Sequence, residues 1–418
     1  MLSTLPIEII MCEIFTHLDE SAKLVVRNVL WNTPIPTSIP DNIQREICQY
    51  SVNYLTFFQS RLNVQNVTHH LSFHSNFPGL KWSIENNYKW CDMACEHIAF
   101  GGNLELLQWA IENGCRWNSY ACEGAASGGH LELLKWARVN GCPWNDKICA
   151  NAALHGKLEV LKWARKNGCP WNAGTCESAA KGGQLEVLKW LRENGCPWCE
   201  NTCEYAALNG HLELLKWARE NGCPWDKLTC EYAAMNGHLE VLQWARANGC
   251  PWDKKTCEAA VRKGHLEVLQ WARNNGCPWD SITCYAAASG GYLNILKWAR
   301  DNGCPWNEFT CEYAAQHGYL EVLKWARTNG CPWNKNTCEA SARNGHLEVI
   351  QWARENGCPW DKNTCEVAAR KGHLEVLQWT IANGCPWDKN TYRIAICNGQ
   401  TRMIKWFTDT FRHLVTQI

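Results

Sequence analysis

The chain has 418 residues, with 41 Lys plus Arg set against 41 Asp plus Glu. That balance excludes the positive field by which general nucleic-acid binders hold phosphates, and no run of roughly 18 to 20 uncharged apolar residues marks a membrane span. The 26 Trp and 27 Cys are the anomaly, and a bias of that size points to one unit copied many times.

Residues 1–63 do not repeat. They open Leu2-Ser3-Thr4-Leu5-Pro6-Ile7-Glu8, unlike a basic then apolar leader, which predicts a cytosolic or nuclear protein. Thiols stay reduced there, so an odd number of cysteines at repeat-locked positions predicts free thiols rather than a disulfide framework. The phrase Leu5-Pro6-x-Glu8-Ile9-Ile10, followed by Ile14-Phe15 and Leu18-Asp19, resembles the start of an F-box. That resemblance implies docking to a Skp1-like adaptor of cullin ubiquitin ligases through Leu5, Pro6, Ile9, Ile14, Phe15 and Leu18. The spacing from Leu18 to Trp31 is shorter than in that family. A second reading makes the segment a helical cap over the first layer of the array.

From Trp82 to Trp406 a tryptophan recurs every 27 residues, and a second series runs from Trp90 to Trp387, mostly inside Gly-Cys-Pro-Trp. A degenerate repeat occupies 64–90, regular 27-residue repeats follow from 91, and the capping last repeat is 388–414. In the repeat 226–252, Asp226 occupies a slot that is Asn or Asp in ten of twelve copies, the preference of a helix N-cap. A first helix carries Thr229, Cys230, Glu231, Tyr232, Ala233 and Ala234 and stops at Gly237, a slot that is Gly in all twelve copies and suits a left-handed cap. A second helix runs from His238 to Arg246, with Leu239, Val241, Leu242, Trp244 and Ala245 on a broad apolar face. Asn248-Gly249 ends it and Pro251 prevents its continuation. One such pair cannot bury its own apolar face, so neighbours must stack. The Ala pair predicts close helix approach. The Trp series is expected to fill the space between layers and to dominate stability, each indole burying about 150 to 250 Å².

The wording Thr-Cys-Glu-Tyr-Ala-Ala, then Asn-Gly-His-Leu-Glu-Val-Leu, strongly resembles the ankyrin repeat, with its Gly-His-Leu-Glu core at Gly210 to Leu214 and Gly345 to Val349. The resemblance implies an all-α, helix-pair solenoid of about 13 repeats. The period is shorter than that family's 33, and Cys-Pro-Trp stands where its β-hairpin finger would be, so little or no strand is expected. Finger-poor arrays of this kind are similar to those common in large DNA viruses and some protists.

The regular cysteines fill two slots, one on the first helix from Cys95 to Cys365 and one from Cys115 to Cys385, mostly before Pro. Cys250-x6-Cys257 with His238 is the nearest approach to a metal spacing, but small, well-buried packing residues are the preferred reading. His130, His211, His238, His265, His346 and His373 share one slot after the repeat glycine and read as turn hydrogen-bonding groups. No cofactor, metal or catalytic constellation is expected, because nearly every polar group is a copy and catalysis needs a differentiated one. The Glu slot from Glu96 to Glu366 reads as a solvated face or as an acidic stripe for a basic partner. Specificity would reside in slots that vary within the fixed frame: Tyr205, Tyr232, Tyr313, Arg262, Arg343 and Arg370 are the candidate partner-binding residues. The function this supports is a protein-interaction scaffold, monomeric and not an enzyme, and a substrate receptor if the N-terminal phrase docks its adaptor. A nucleic-acid or chromatin-associated array using Trp to stack on bases, and a passive spacer, are the alternatives.

Overall fold

The computed structural model describes residues 67–116 and 118–411. The F-box-like phrase from Leu5 to Leu18 lies outside them, as do the expected outer boundaries at 64 and 414.

Among the described residues there are helices and turns but no strand, in the order first helix, second helix, repeat after repeat. The described residues form an all-α array of stacked helix pairs, the architecture that the resemblance implies. Its reason is local. In the repeat 226–252 Asp226 is extended and its carboxylate accepts the Leu228 N–H at 2.8 Å, opening the helix Lys227–Met235. Gly237 then takes φ +78°, which lets the His238 N–H reach back to the Ala233 carbonyl at 2.9 Å. The second helix, Leu239–Ala247, closes in the same way: Gly249 has φ +82° and the Cys250 N–H returns to the Ala245 carbonyl. Asn248 adds a side-chain bond to the Trp244 carbonyl at 2.8 Å.

First helices pack against the first helices of neighbouring repeats and against their own second helix. The fully buried layer holds Thr229, Cys230, Ala233 and Ala234 from one helix, Val241, Leu242 and Ala245 from the other, and Cys250 from the connector. Small side chains at these contacts let the backbones close up, as the Ala pair predicts.

The tryptophans meet the expectation in part. Of those described Trp82 is buried and the rest are partly buried, with Trp333, Trp352, Trp360 and Trp379 packed against the buried cluster. The indoles meet one another at the connectors. There Arg246 stacks on Trp252 at 4.2 Å and donates to the Cys250 carbonyl, while Trp252 meets Trp271 of the next repeat edge to face at 5.9 Å. Such cation–π and aromatic contacts contribute about 0.5 to 2 kcal/mol each.

The cysteines form paired layers within a repeat rather than across the Cys250–Cys257 junction. The Cys250 thiol donates to the Asp226 carbonyl at 3.2 Å, tying the end of the repeat to its beginning, and Cys230 hydrogen-bonds to Cys250. That bond, then burial, pushes the Cys230 thiol well above its usual value. No disulfide joins the described cysteines, and all but Cys91, Cys199 and Cys397 are buried.

Contacts gather into two compact units divided between Thr202 and Cys203. In the N-terminal unit the same connector appears as Arg138 over Trp144 at 4.6 Å, with Trp144 against Trp163 at 5.6 Å. In the C-terminal unit the final pair, Lys389–Cys397 and Thr401–Thr410, replaces small residues by large ones. Tyr392 stands in the first-helix Cys slot and the fully buried Phe407 in the slot of Ala245. Phe411 and Trp387 pack against Phe407.

Two glycines of one repeat separate conformation from crowding. A Cβ on Gly237 would lie 2.8 Å from the His265 ring of the next repeat, whereas Gly249 has nothing within 4 Å. Gly249→Ala is expected to cost about 1 kcal/mol for the left-handed backbone alone and Gly237→Ala about 2 kcal/mol or more. Thermal unfolding of the two variants checks the order.

Candidate partner-binding surface

Each first helix turns its Thr, Cys and Ala inward, which leaves the Glu slot, the residue after it and the residue three further on nearer to solvent. These are Glu231, Tyr232 and Met235 in the repeat described, all half-buried.

The Glu slot is neither a solvated face nor a free acidic stripe. Glu123, 5% exposed, accepts from Asn145 of the next repeat at 2.7 Å. Glu177 accepts from Cys199 and Asn201, each at 3.2 Å, and Glu366 from Asn390 at 3.1 Å. These carboxylates pin one repeat to the next. Burial is the largest influence on Glu231 and Glu312 and pushes both carboxyls above the usual range, with an Asn336 hydrogen bond pulling Glu312 back. The shared histidine slot is a second pin: the His238 ring donates to the Leu208 carbonyl at 3.1 Å and His346 to that of Gln316 at 3.0 Å.

The slots that vary do so in both units, with His97, Gly124, Asn151 and Ser178 in the N-terminal one, while the six residues singled out from the sequence all lie on first helices of the C-terminal unit. Tyr205 and Tyr232 are neighbours; burial first, then the carboxylates of Glu204 and Glu231, push the Tyr232 phenol upward. Tyr313 stacks on Tyr285 with centroids 5.1 Å apart and planes at 18°, and Phe309, 43% exposed, sits edge-on at 6.3 Å. Sequence reasoning missed Tyr285 and Phe309; the signal was an aromatic standing in the Glu slot. Arg262 pairs with Glu258, and Arg343 with Glu339 at 2.5 Å. Arg343 lies between two cavities. One, of about 290 Å³, is lined by Arg343, Val367, Arg370 and Lys371. The other, of about 140 Å³, is lined by Glu312, Gln316, Asn336, Glu339, Ala340 and Arg343. Exposed cations beside an apolar wall and a stacked Tyr pair suit recognition of a polypeptide carrying carboxylates.

A different constellation lies in the N-terminal unit. His69, Cys91 and His97 bring their ligand atoms within 4.8 Å of one another. Burial, then His69, hold the His97 imidazole to about 4, so it is neutral near pH 7, and burial pushes the Cys91 thiol up. The reading that assigned the cysteines to packing stands for the two regular slots and does not cover Cys91, which belongs to neither.

The family model for ankyrin repeats in many copies matches residues 176–219, 203–246 and 230–273, each window displaced by one repeat. Comparison with curated proteins gives no match. Among solved structures, the chain is similar to the human ASB11 ankyrin repeat domain at 19% identity and a TM-score of 0.33, over 38% of this chain and 84% of that one. It is also similar to the pentatricopeptide repeat protein PPR10, solved with an 18-nt PSAJ RNA element, at 13% identity and a TM-score of 0.39, over 96% of this chain and 67% of that one.

The pinned carboxylates make a prediction. A carboxyl whose folded value is raised favours the folded state at acid pH and loses that contribution as pH rises from the ordinary glutamate value through the raised one. Glu312→Gln retains an acceptor for Asn336 without a desolvated charge, so its melting temperature is expected to match or exceed wild type at pH 7, the difference shrinking toward pH 4. Glu312→Ala is expected to melt lower at both. Thermal scans across that range check it.

Proposed function

We propose that the chain is a protein-binding scaffold whose partner lies along the first helices of the C-terminal unit, between Tyr205 and Arg370. The observation that carries this reading is the aromatic and basic side chains that those helices present together: stacked Tyr285 and Tyr313, and Arg343 and Arg370 lining one cavity with Val367. The ankyrin match supports the general role, since such repeats present adaptable side chains on a fixed frame. The partner surface is acidic and polypeptide. The tryptophans argue against base stacking, because the connector indoles are taken by arginine on one face and by the next indole at an edge, as at Trp252 and Trp333.

The phrase from Leu5 to Leu18 supports a second component, docking of a Skp1-like adaptor, which would make the array the substrate-binding part of a cullin-type ubiquitin ligase. Among the described residues no helix is long and apolar enough to cross a membrane.

Affinity purification from eukaryotic extract, read by mass spectrometry, tests both parts. The full chain and a form lacking residues 1–63 are expected to retain the same client, and only the full chain to retain Skp1 and a cullin. Arg343→Glu with Arg370→Glu is expected to weaken client binding at least about tenfold while adaptor retention and melting temperature hold. A client unaffected by the double reversal places the binding face elsewhere. An adaptor absent from both forms reduces residues 1–63 to a cap.

A further inference from the structure

The repeat frame explains how three metal-binding side chains meet at the start of the described array. In regular repeats the Glu slot of one first helix reaches the first residues of the next repeat, as Glu123 reaches Asn145 and Glu177 reaches Cys199. In the degenerate repeat the Glu slot holds His69, on the helix Val67–Phe73, and the N-cap slot that follows holds Cys91. The third member, His97, fills the variable slot on the helix Ala94–Phe100. Its ring stands 4.8 Å from that of His69, at 74°. Each of the three departs from what most other copies carry. Cys199 is the other cysteine in the N-cap slot, but its companion slots hold Glu177 and Tyr205 rather than histidine. A constellation present once, in slots that elsewhere serve packing and capping, is what a dedicated site requires.

We infer that His69, Cys91 and His97 form a zinc site, with the fourth position taken by water or by the Ser72 hydroxyl. Two imidazoles and a thiolate suit Zn²⁺ and do not suit Ca²⁺ or Mg²⁺, which take oxygen ligands. Bond lengths of about 2.0 to 2.3 Å place tetrahedral ligand atoms roughly 3.3 to 3.8 Å apart. Ligand atoms already within 4.8 Å reach that by side-chain rotation, without moving either helix. The Ser72 Oγ lies 3.3 Å from His97 Nδ1 and 4.0 Å from Cys91 Sγ, on the same side. All three ligands are half-buried, shielded yet reachable. On binding, Cys91 loses its thiol proton to solvent and forms one Zn–S bond, with no redox step.

The degenerate repeat closes differently. Where most other repeats close with Asn-Gly-Cys-Pro-Trp, this one has Asn86-Asn87-Tyr88-Lys89-Trp90, and Asn87 takes φ +63° in place of glycine. The connector thiol is absent, and the Thr68 hydroxyl donates to the Lys89 carbonyl at 2.7 Å. A metal joining the helix of His69 to that of His97 would add a tie between these two layers.

Metal titration of the full chain, stripped with chelator and held reduced, tests the site. Co²⁺ is expected to bind at one equivalent with a thiolate-to-cobalt band in the near ultraviolet and tetrahedral d–d bands in the visible, and Zn²⁺ to displace it. Cys91→Ser, which keeps a small polar side chain, and His97→Ala are expected to weaken binding at least about 100-fold. Cys199→Ser is the control and is expected to bind as wild type, with circular dichroism confirming that all three variants fold. Absence of binding by the wild type, an unchanged stoichiometry in Cys91→Ser, or binding of copper with neither zinc nor cobalt would each overturn the assignment.

Discussion

The close approach of neighbouring first helices is the constraint from which the rest follows. A layer built from a nine-residue helix such as Lys227–Met235 against the next has room for Cys230, Ala233 and Ala234 and for little more. That spacing decides which residues are inside. It sends the indoles to the connectors, sets the Glu slot within reach of the following N-cap, and places each slot-sharing histidine over the glycine of the repeat before it, as His265 lies over Gly237. In the pair Lys389–Cys397 and Thr401–Thr410 small residues give way to large ones, and Phe407 is fully buried in the slot equivalent to Ala245.

Much of this was legible in the wording of the repeat. The N-cap at Asp226, the left-handed turns at Gly237 and Gly249 and the absence of strand among the described residues follow from residue preferences that act within a few positions along the chain. How completely the tryptophans are buried was not legible, for a physical reason. Apolar periodicity says which side of a helix faces inward, but not how much volume the facing layer can accept. Trp244 lies on the expected side and is still half-exposed. Glu123, Glu177 and Glu366 were misjudged similarly, since their partners Asn145, Asn201 and Asn390 sit in the next repeat, more than twenty residues away.

For the surface, sequence variation pointed to Tyr205, Tyr232, Tyr313, Arg262, Arg343 and Arg370, and the fold gathers them on the first helices of one compact unit. It did not reveal that Tyr285 would stack on Tyr313, because Tyr285 stands in a slot otherwise read as acidic. His69, Cys91 and His97 escaped notice for the opposite reason. A search for regularity gives least weight to the degenerate repeat, where a departure carries the most information.

The ties between layers have a fixed reach along the chain. A thiol bonds to a carbonyl 24 residues back, an arginine covers an indole six residues on, and a histidine reaches a carbonyl 30 residues back, in the previous copy. Every partner is therefore defined by its phase in the period rather than by its absolute position. Removing or inserting one whole period among the central copies regenerates each tie at the new junction. Unequal exchange between near-identical coding units would lengthen or shorten such an array without breaking its interior, and the variable slots of each copy would travel with it as an intact cassette.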